Sequence, residues 1–255
     1  MFFTHTTFIG IDPTAGVKPF TYVALDNDLR LLAIGEGSID EVLAFVAGQR
    51  QSYVAVCAPS RPNQGVMERE EVRLQLNPQP RPGRWTGFRM AEYQLRQHNI
   101  PCPKTWSDEK LCPGWMRMGF TLFERLESMD YCPYPTQDSP LQWLEVYPHA
   151  SFCALLGKAP LSKYSLEGRI QRQLILYDQD IHISDPMRLF EEITRNRLLQ
   201  GTLLLNDLHT PAELDALVAA YSAWLAAKKP DEITLIGHPE EGQVFLPVRE
   251  LKSKY

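Results

Sequence analysis

The chain has 255 residues, of which 44% are hydrophobic and 22% are charged, and its formal net charge is −5. These values are ordinary for a globular domain and exclude a fibrous or largely disordered chain. Residues 1–7 lack the basic start of a signal peptide, and no apolar run approaches the roughly 18 residues of a membrane span, so we expect a cytoplasmic protein without membrane association. A nucleic-acid partner would need local basic groups, because the overall charge is negative.

The first part of the chain predicts a meander of three strands. Thr7–Asp12 is a short apolar run that ends in an acid, and Pro13 stops it. Phe20–Leu25 and Leu31–Gly35 have the same character and are joined by a turn of the sequence Asp-Asn-Asp. Asp12 therefore lies at the carboxyl end of the first strand.

The next segments predict a helix, a buried strand and an insertion. Ser38 can cap a helix that runs to about Gly48. Tyr53–Ala58 is almost wholly apolar, which is typical of a strand buried on both faces. An insertion then begins near residue 67 and runs to about 140, where prolines break the pattern and two helices are expected at 89–98 and 115–129.

The remaining part of the chain predicts a fifth strand followed by helices. The strand is Leu141–Val146, and Pro148 opens the helix after it at the favoured first position. Helices are also expected at 165–177, 187–200 and 214–229. The last of these has the clearest start, with Thr210 as N-cap and Glu213 in the first turn.

This order of elements resembles the ribonuclease-H-like fold. It predicts a single α/β domain over 1–255, with a mixed five-stranded sheet, flanking helices and the inserted helical segment at about 67–140. Right-handed crossovers place the fourth strand beside the first and the fifth beyond it. Ligands of open α/β sheets bind at the carboxyl ends of the strands, which is where Asp12 is expected.

Five cysteines occur without any Cys-x-x-Cys pair, which fits reduced thiols better than a disulfide framework. Cys102, Cys112 and Cys132 each precede a proline. Such dipeptides could contact zinc or haem, but their irregular spacing favours loop thiols beside turn prolines.

Several longer segments together carry a resemblance to a known family. They are FIGIDPT at Phe8–Thr14, VAVCAPSRPNQG at Val54–Gly65, EVYPHASF at Glu145–Phe152, ELDALVAAYSAW at Glu213–Trp224 and GQVFLPV at Gly242–Val248, together with Lys163, Gly168, Arg169 and Arg172. In these segments the chain resembles the predicted ribonuclease-H-like nucleases called domain of unknown function family 429. EVYPHASF and the late helix are the most specific pieces, GQVFLPV looks like the family's closing strand, and the insertion matches poorly.

The resemblance implies an acidic, metal-binding active site. Its members would be Asp12, an acid at the end of the fourth strand, Glu145 and Asp215. Neighbouring strands are about 5 Å apart, so acids at their ends could share Mg²⁺ or Mn²⁺ ions that polarise phosphate and activate water. Small residues on the stripe of Asp215, such as Ala219, would let its helix approach the sheet closely.

Each acid also has a purely structural interpretation. Asp12 could be a turn acid, and Glu145 could neutralise the start of the following helix. Asp215 could be a solvated helix acid, and Asp207 competes with it for the functional role. The functional interpretation is preferred for Asp12 and Glu145, and both interpretations stay open for Asp215.

The basic candidates are Lys163, Arg169, Arg172 and His149. The two arginines are three residues apart on one helix face, so with Lys163 they could hold phosphate oxygens. A solvated basic face is an equally good interpretation. His149 could bond a phosphate, although a bond within its own helix terminus is the simpler interpretation.

Cys57 departs from the family pattern, which has aspartate before Ala-Pro at this position. A thiol is too soft a ligand to favour Mg²⁺, so a two-metal arrangement would lose its central carboxylate. Cys57 could equally be plain packing in an apolar strand.

Three functions follow from these patterns. The first is a metal-dependent phosphodiester hydrolase that acts on a nucleotide or nucleic acid. The second, favoured by Cys57, is a degenerate ribonuclease-H-like protein that binds a ligand or partner without hydrolysis. The third is a phosphotransferase, suggested by Asp12-Pro13-Thr14, but the chain is short for the duplicated body of actin-like kinases.

Overall fold

The computed structural model describes residues 6–14, 18–81, 83–190, 192–201 and 207–255. Over these residues the protein is a mixed α/β structure with an eight-stranded sheet and helices packed on both faces. None of the helices in these ranges is both long enough and apolar enough to cross a membrane.

The sheet mixes parallel and antiparallel pairs. Its strands are β1 Thr7–Asp12, β2 Phe20–Leu25, β3 Leu31–Gly37, β4 Ser52–Val56, β5 Cys132–Pro133, β6 Leu141–Glu145, β7 Thr234–His238 and β8 Gly242–Leu246. They lie in the order β3-β2-β1-β4-β6-β8-β7, and β5 pairs with β6 beside this path. β1, β4, β6 and β8 run parallel, whereas β2, β3 and β7 each run antiparallel to a neighbour.

The prediction of five strands is wrong in number, although the five predicted strands are present in the predicted order. β5 has only two residues, which is too short for any alternation of side chains to show in the sequence. β7 forms the edge of the sheet, and its sequence TLIGH mixes a glycine and a histidine with apolar residues. β8 is the GQVFL segment that resembles the family's closing strand.

Helices are found in each region where the sequence predicts one. They are α1 Ile39–Ala47, α2 Glu70–Leu74, α3 Met90–Gln97, α4 Gly114–Glu127, α5 Pro148–Leu156, α6 Leu166–Tyr177, α7 Glu192–Leu199 and α8 Pro211–Lys228. The predicted caps are confirmed at Ser38 and Thr210, each of which forms a reciprocal capping box. The helix predicted at 187–200 begins instead with a 3₁₀ turn at Pro186–Phe190, and residue 191 lies outside the described residues.

The helices divide between the two faces of the sheet. α5, α6 and α8 bury their apolar side chains on one face. α1 and α4 cover the other face. α3 packs beside β7 and β8, so the segment between β4 and β6 supplies both α3 and α4 to the body of the protein.

α8 approaches β1 closely at Gly10. A Cβ atom on Gly10 would lie 1.9 Å from the carbonyl oxygen of Ala216 and 2.6 Å from the backbone nitrogen of Ala220. Only glycine leaves room for this approach. The contact places Asp215, next to Ala216, beside the end of β1 and therefore close to Asp12.

Candidate functional site

The carboxyl ends of three parallel strands meet at one edge of the sheet. Ile11 of β1 pairs with Val56 of β4, and Val56 pairs with Glu145 of β6. The backbone N–H of Cys57, just after β4, donates a hydrogen bond of 2.9 Å to the carbonyl of Ile11. The structure thus places Asp12, Cys57 and Glu145 at the same edge, as the crossovers predict.

Glu145 nevertheless lies on the other face of the sheet from Asp12. Side chains alternate along a strand, and Glu145 is in register with Val56, which packs on the face covered by α1 and α4. Asp12 and Cys57 are each one residue further along and face α8. The carboxylate of Glu145 accepts bonds of 2.8 Å from the Ser60 N–H and 2.9 Å from Arg89 Nη2.

The predicted grouping of Glu145 with Asp12 and Asp215 is therefore not what the structure shows. The Glu145–Arg89 ion pair is almost fully buried, with side-chain exposures of 4% and 1%. The pairing register between two strands decides which of their residues share a face of the sheet. Neither strand sequence alone specifies this register. Glu145 joins the sheet to the segment that carries α3.

A cavity of about 480 Å³ opens on the α8 face at the same strand ends. It is lined by two acids, three basic or imidazole groups, a thiol and three aromatic side chains. They are Asp12, Asp215, Lys163, Arg172, His149 and Cys57, with Trp115, Tyr147 and Tyr164. Six of the eight candidates predicted from sequence thus share one pocket, and Glu145 and Arg169 do not line it.

Asp215 and Lys163 form an ion pair in this pocket, with 2.5 Å between Nζ and Oδ2. The Asp215 side chain is 7% exposed and that of Lys163 is 34% exposed. Burial raises the pKa of Asp215, and the charge of Lys163 opposes this shift. Burial acts to lower the pKa of Lys163, but the charge and hydrogen bond of Asp215, together with the charge of Asp12, outweigh it and raise that pKa, so the ammonium stays charged.

The pKa of Asp12 lies close to neutral pH. Burial, helped by the negative charge of Asp215, raises the pKa of Asp12 to about 7, and the charge of Lys163 opposes the shift. An acid with such a pKa exchanges a proton near neutral pH. Perturbed carboxyl groups in a cleft are typical of functional sites.

Cys57 lines the same pocket as the two acids and remains a thiol. Burial, with the charges of Asp12 and Asp215, raises the pKa of Cys57 well above its usual value. Its Sγ–H donates a 3.4 Å hydrogen bond to the backbone carbonyl of Asp215. A buried, protonated thiol is neither a strong nucleophile nor a ligand for a hard cation.

Arg172 of α6 faces the pocket with one donor unused. Its Nη1 donates to the carbonyls of Leu161, at 2.6 Å, and Gly168, at 3.3 Å. Its Nε is buried and has no hydrogen-bond partner among the described residues. The guanidinium also stacks over Phe152, with Cζ 5.2 Å from the ring centroid. The side chain is therefore held in place at the pocket wall, with its buried Nε lacking a hydrogen-bond partner among the described residues.

Arg169 and His149 have different surroundings from those expected. Arg169 binds the carbonyls of Leu208 and His209 at 2.9 and 3.0 Å, so it secures the start of α8 and does not reach the pocket. His149 lines the pocket and its Nε2 lies 3.7 Å from Cys153 Sγ. Burial, with the charges of Arg172 and Lys163, lowers the pKa of His149, so its imidazole is neutral at pH 7.

Asp207, the rival of Asp215, is exposed and does not line the pocket. Its backbone carbonyl accepts a 2.7 Å bond from Gln173, which fixes the chain before α8. Within the described ranges, no group of three or more His, Cys, Asp or Glu side chains is arranged to hold a metal ion.

The sequence did not single out the aromatic side of the pocket. Trp115 comes from α4, Tyr147 from the residue before α5, and Tyr164 from the loop before α6. Each looks like an ordinary core or loop aromatic in sequence. The 81% exposure of Tyr164, beside Lys163, is visible only in the structure.

Residues 10–241 match the family model described as Protein of unknown function (DUF429). The match spans most of the chain, and the protein belongs to this family. Neither the search of curated proteins nor the search of solved structures found a match.

Proposed function

We propose that the pocket beside Asp12 hydrolyses a phosphate ester of a nucleotide or nucleic acid, on a ribonuclease-H-like sheet. One observation carries the proposal. Two carboxylates, Asp12 and Asp215, line the same pocket as Lys163 and Arg172, and the buried Nε of Arg172 has no partner among the described residues. A phosphate oxygen is an acceptor that the cationic side chains of Lys163 and Arg172 would bind strongly.

The topology supports the fold assignment. An antiparallel β3-β2-β1 meander is followed by parallel β4 and β6, with α1 between β3 and β4. Asp12 stands at the end of β1, the strand flanked by an antiparallel and a parallel neighbour. This is the position at which open α/β sheets bind ligands.

The donor set fits one divalent cation better than two. Asp12 and Asp215 would hold it, since Mg²⁺ commonly uses one or two carboxylates together with substrate phosphate and water. The Cys57 thiol is unsuited to a hard cation, and Lys163 already neutralises part of the negative charge of Asp215. When bound, Mg²⁺ or Mn²⁺ would polarise a phosphate oxygen and make a water molecule more acidic.

The residues of the chain would divide the remaining work. Arg172 and Lys163 would bind and orient the phosphate oxygens. Because His149 is neutral at pH 7, it can accept a proton from the attacking water. Asp12, with its pKa of about 7, must lose its proton before it can hold a cation, so cation affinity should rise as the pH passes 7.

Calorimetric titration with Mn²⁺, together with hydrolysis of a model phosphodiester, tests this proposal. We expect weak binding that strengthens from pH 6 to pH 8 and is lost in Asp12→Asn. Asp207→Asn is the matched control, since it removes an exposed carboxylate outside the pocket and should change neither quantity. Equal binding and activity in wild type and Asp12→Asn would refute a cation site at Asp12.

Cys57→Asp extends the same test. The variant adds a third carboxylate at the sheet edge where Asp12 lies. It should increase Mg²⁺ affinity by at least about tenfold, because affinity rises with the number of charged ligands. It should also lower stability in the absence of the cation, since a buried charge is added, and added Mg²⁺ should restore that stability. Cys57→Ser, which adds no charge, is the control.

The same variant distinguishes a second candidate function, a non-catalytic binding protein. The specific observation in its favour is that a buried thiol, Cys57, stands beside the acids of the pocket while Lys163 is hydrogen-bonded to Asp215. In that case the pocket would bind an anion through Lys163 and Arg172 without hydrolysis. If Cys57→Asp folds yet gains neither cation affinity nor activity, this second function is preferred.

A further inference from the structure

The segment 81–106 has a charge balance unlike that of the rest of the chain. It contains four arginines and one lysine but a single acid, Glu92, in a protein of net charge −5. Arg89 and Glu92 are buried, with exposures of 1% and 6%. The charges that this segment presents at the surface are therefore all positive.

These cations lie over aromatic rings. Lys104 Nζ is 3.8 Å from the ring centroid of Trp106 and 5.8 Å from that of Phe88. Arg96 Cζ lies 4.9 Å from the Phe88 centroid, and Arg84 Cζ lies 5.1 Å from the Trp85 centroid. We call the group formed by Arg84, Trp85, Phe88, Arg96, Lys104 and Trp106 the cation–aromatic patch.

The aromatic members of the patch are accessible and held in fixed orientations. Trp106 is 41% exposed, and Trp85 and Phe88 are partly exposed. The rings of Trp85 and Phe88 are 5.3 Å apart and inclined by 58°. Arg96 also donates a hydrogen bond to the carbonyl of Cys102, which fixes the loop that carries Lys104 against α3.

We propose that the cation–aromatic patch binds single-stranded nucleic acid. Aromatic faces accept unpaired bases of any sequence by stacking, and neighbouring cations bind the phosphates. A duplex hides its base faces and would use the cations alone. The local positive charge supplies the basic surface that the negative chain as a whole lacks.

The patch lies next to the candidate site but does not depend on it. Pro103 and Thr105, on either side of Lys104, line a small cavity together with Trp115 and Tyr147. Trp115 and Tyr147 also line the pocket of Asp12. The loop that carries Lys104 is thus connected to the pocket through one small cavity. Binding to the patch stands even if the pocket does not hydrolyse phosphate esters.

Fluorescence anisotropy with labelled twelve-nucleotide oligo(dT) tests the proposal, in the full-length protein and without divalent cations. Trp106→Ala should weaken binding by about tenfold, which is typical for the loss of one stacked base. Lys104→Ala should weaken binding and reduce the salt dependence by about 0.7 in the log–log slope, the value for one phosphate contact on a single strand. An oligo(rU) arm reports whether the sugar matters.

Matched controls separate a specific surface from general effects. Tyr177→Ala removes a ring that is also 41% exposed, and Arg50→Ala removes an exposed cation outside the segment 81–106. Neither should change the affinity. Circular dichroism of each variant checks that it folds. If Trp106→Ala fails to fold, Lys104→Ala still tests the proposal.

Three outcomes would overturn the proposal. The first is no binding of oligo(dT) by the wild type at low salt. The second is equal affinity for oligo(dT) and an abasic oligomer of the same length, because bases would then contribute nothing. The third is equal affinity for a polyglutamate peptide, which would assign the patch to an acidic protein partner instead.

Discussion

Asp12 links the chemistry of the pocket to the stability of the fold. Burial raises its pKa from 3.8 to about 7, so the folded protein keeps a proton that the unfolded chain releases between about pH 4 and pH 7. The stabilising contribution of this proton is complete below about pH 4 and is lost as the pH rises through 7. Asp12→Asn should therefore raise the free energy of unfolding at pH 8 by about 1–3 kcal/mol.

Urea denaturation across this pH range measures the effect. The gain from Asp12→Asn should shrink as the pH falls from 7 to below 4, because the wild-type carboxyl becomes protonated in the unfolded chain as well once the pH is below 3.8. Asp207→Asn should leave stability unchanged at every pH, because that side chain is exposed. A loss of stability in Asp12→Asn at pH 8 would show that the attraction of the Asp12 carboxylate to the charge of Lys163 outweighs the cost of its burial.

Single residues also show how far the sequence could identify the site. Asp12 and Asp215 were found from motifs, and the structure brings them to one pocket. The family resemblance groups Glu145 with them, but the register turns it to the other face. A strand end specifies the edge of a sheet, whereas the face depends on pairing with a distant segment.

The packing of α8 on β1 sets the distance between Asp12 and Asp215. Gly10→Ala would place a methyl group 1.9 Å from the Ala216 carbonyl oxygen, so the backbone of α8 or β1 would have to move. We expect a loss of about 2–4 kcal/mol in the free energy of unfolding. Mn²⁺ affinity should fall as well, since α8 carries Asp215.

Gly35→Ala is the matched control in a strand of the same sheet. Its added methyl would meet the hydroxyl of Tyr22 at 2.9 Å, and that ring end can turn away. The control should cost much less than Gly10→Ala, as determined by chemical denaturation. Similar losses in both variants would indicate a general intolerance of alanine in the sheet and not a close helix approach.

The elements with strong local signals were the ones that the sequence predicted correctly. α8 has its capping box at Thr210 and Glu213, and β4 is an unbroken apolar run. β5 and β7 carry no such signal, because they form through pairing with β6 and β8. The N-terminus of a helix is encoded by the residues next to it, whereas a short edge strand depends on the strand it pairs with.

A buried polar cluster joins the sheet to the segment that carries α3. Arg89 precedes α3 and pairs with Glu145, and Glu92 and Glu241 lie close enough to affect the pKa of Arg89. Glu92 caps its own helix and also accepts a bond from the Thr105 N–H. The segment between β4 and β6 thus docks through interactions that its own sequence, read as an insertion, did not reveal.

This cluster predicts that Glu145 acts on stability and not on cation binding. Glu145→Gln leaves Arg89 buried without its closest counter-charge, and breaking one partner of such a pair costs about 3–5 kcal/mol. Replacing both partners, in Arg89→Met with Glu145→Gln, should recover only part of the loss: the Arg89–Glu145 pair is removed as a whole, but the buried Glu92 and Glu241 lose the nearby charge of Arg89. Denaturation of the two single variants and the double variant measures the coupling, and each should unfold in a single transition if sheet and segment are one cooperative unit.

Mn²⁺ titration of Glu145→Gln should match the wild type, in contrast to Asp12→Asn, since its carboxylate lies on the opposite face of the sheet from the pocket. Loss of Mn²⁺ binding with unchanged stability would instead make Glu145 a ligand, and would require the strand end to turn toward Asp12 when the cation binds.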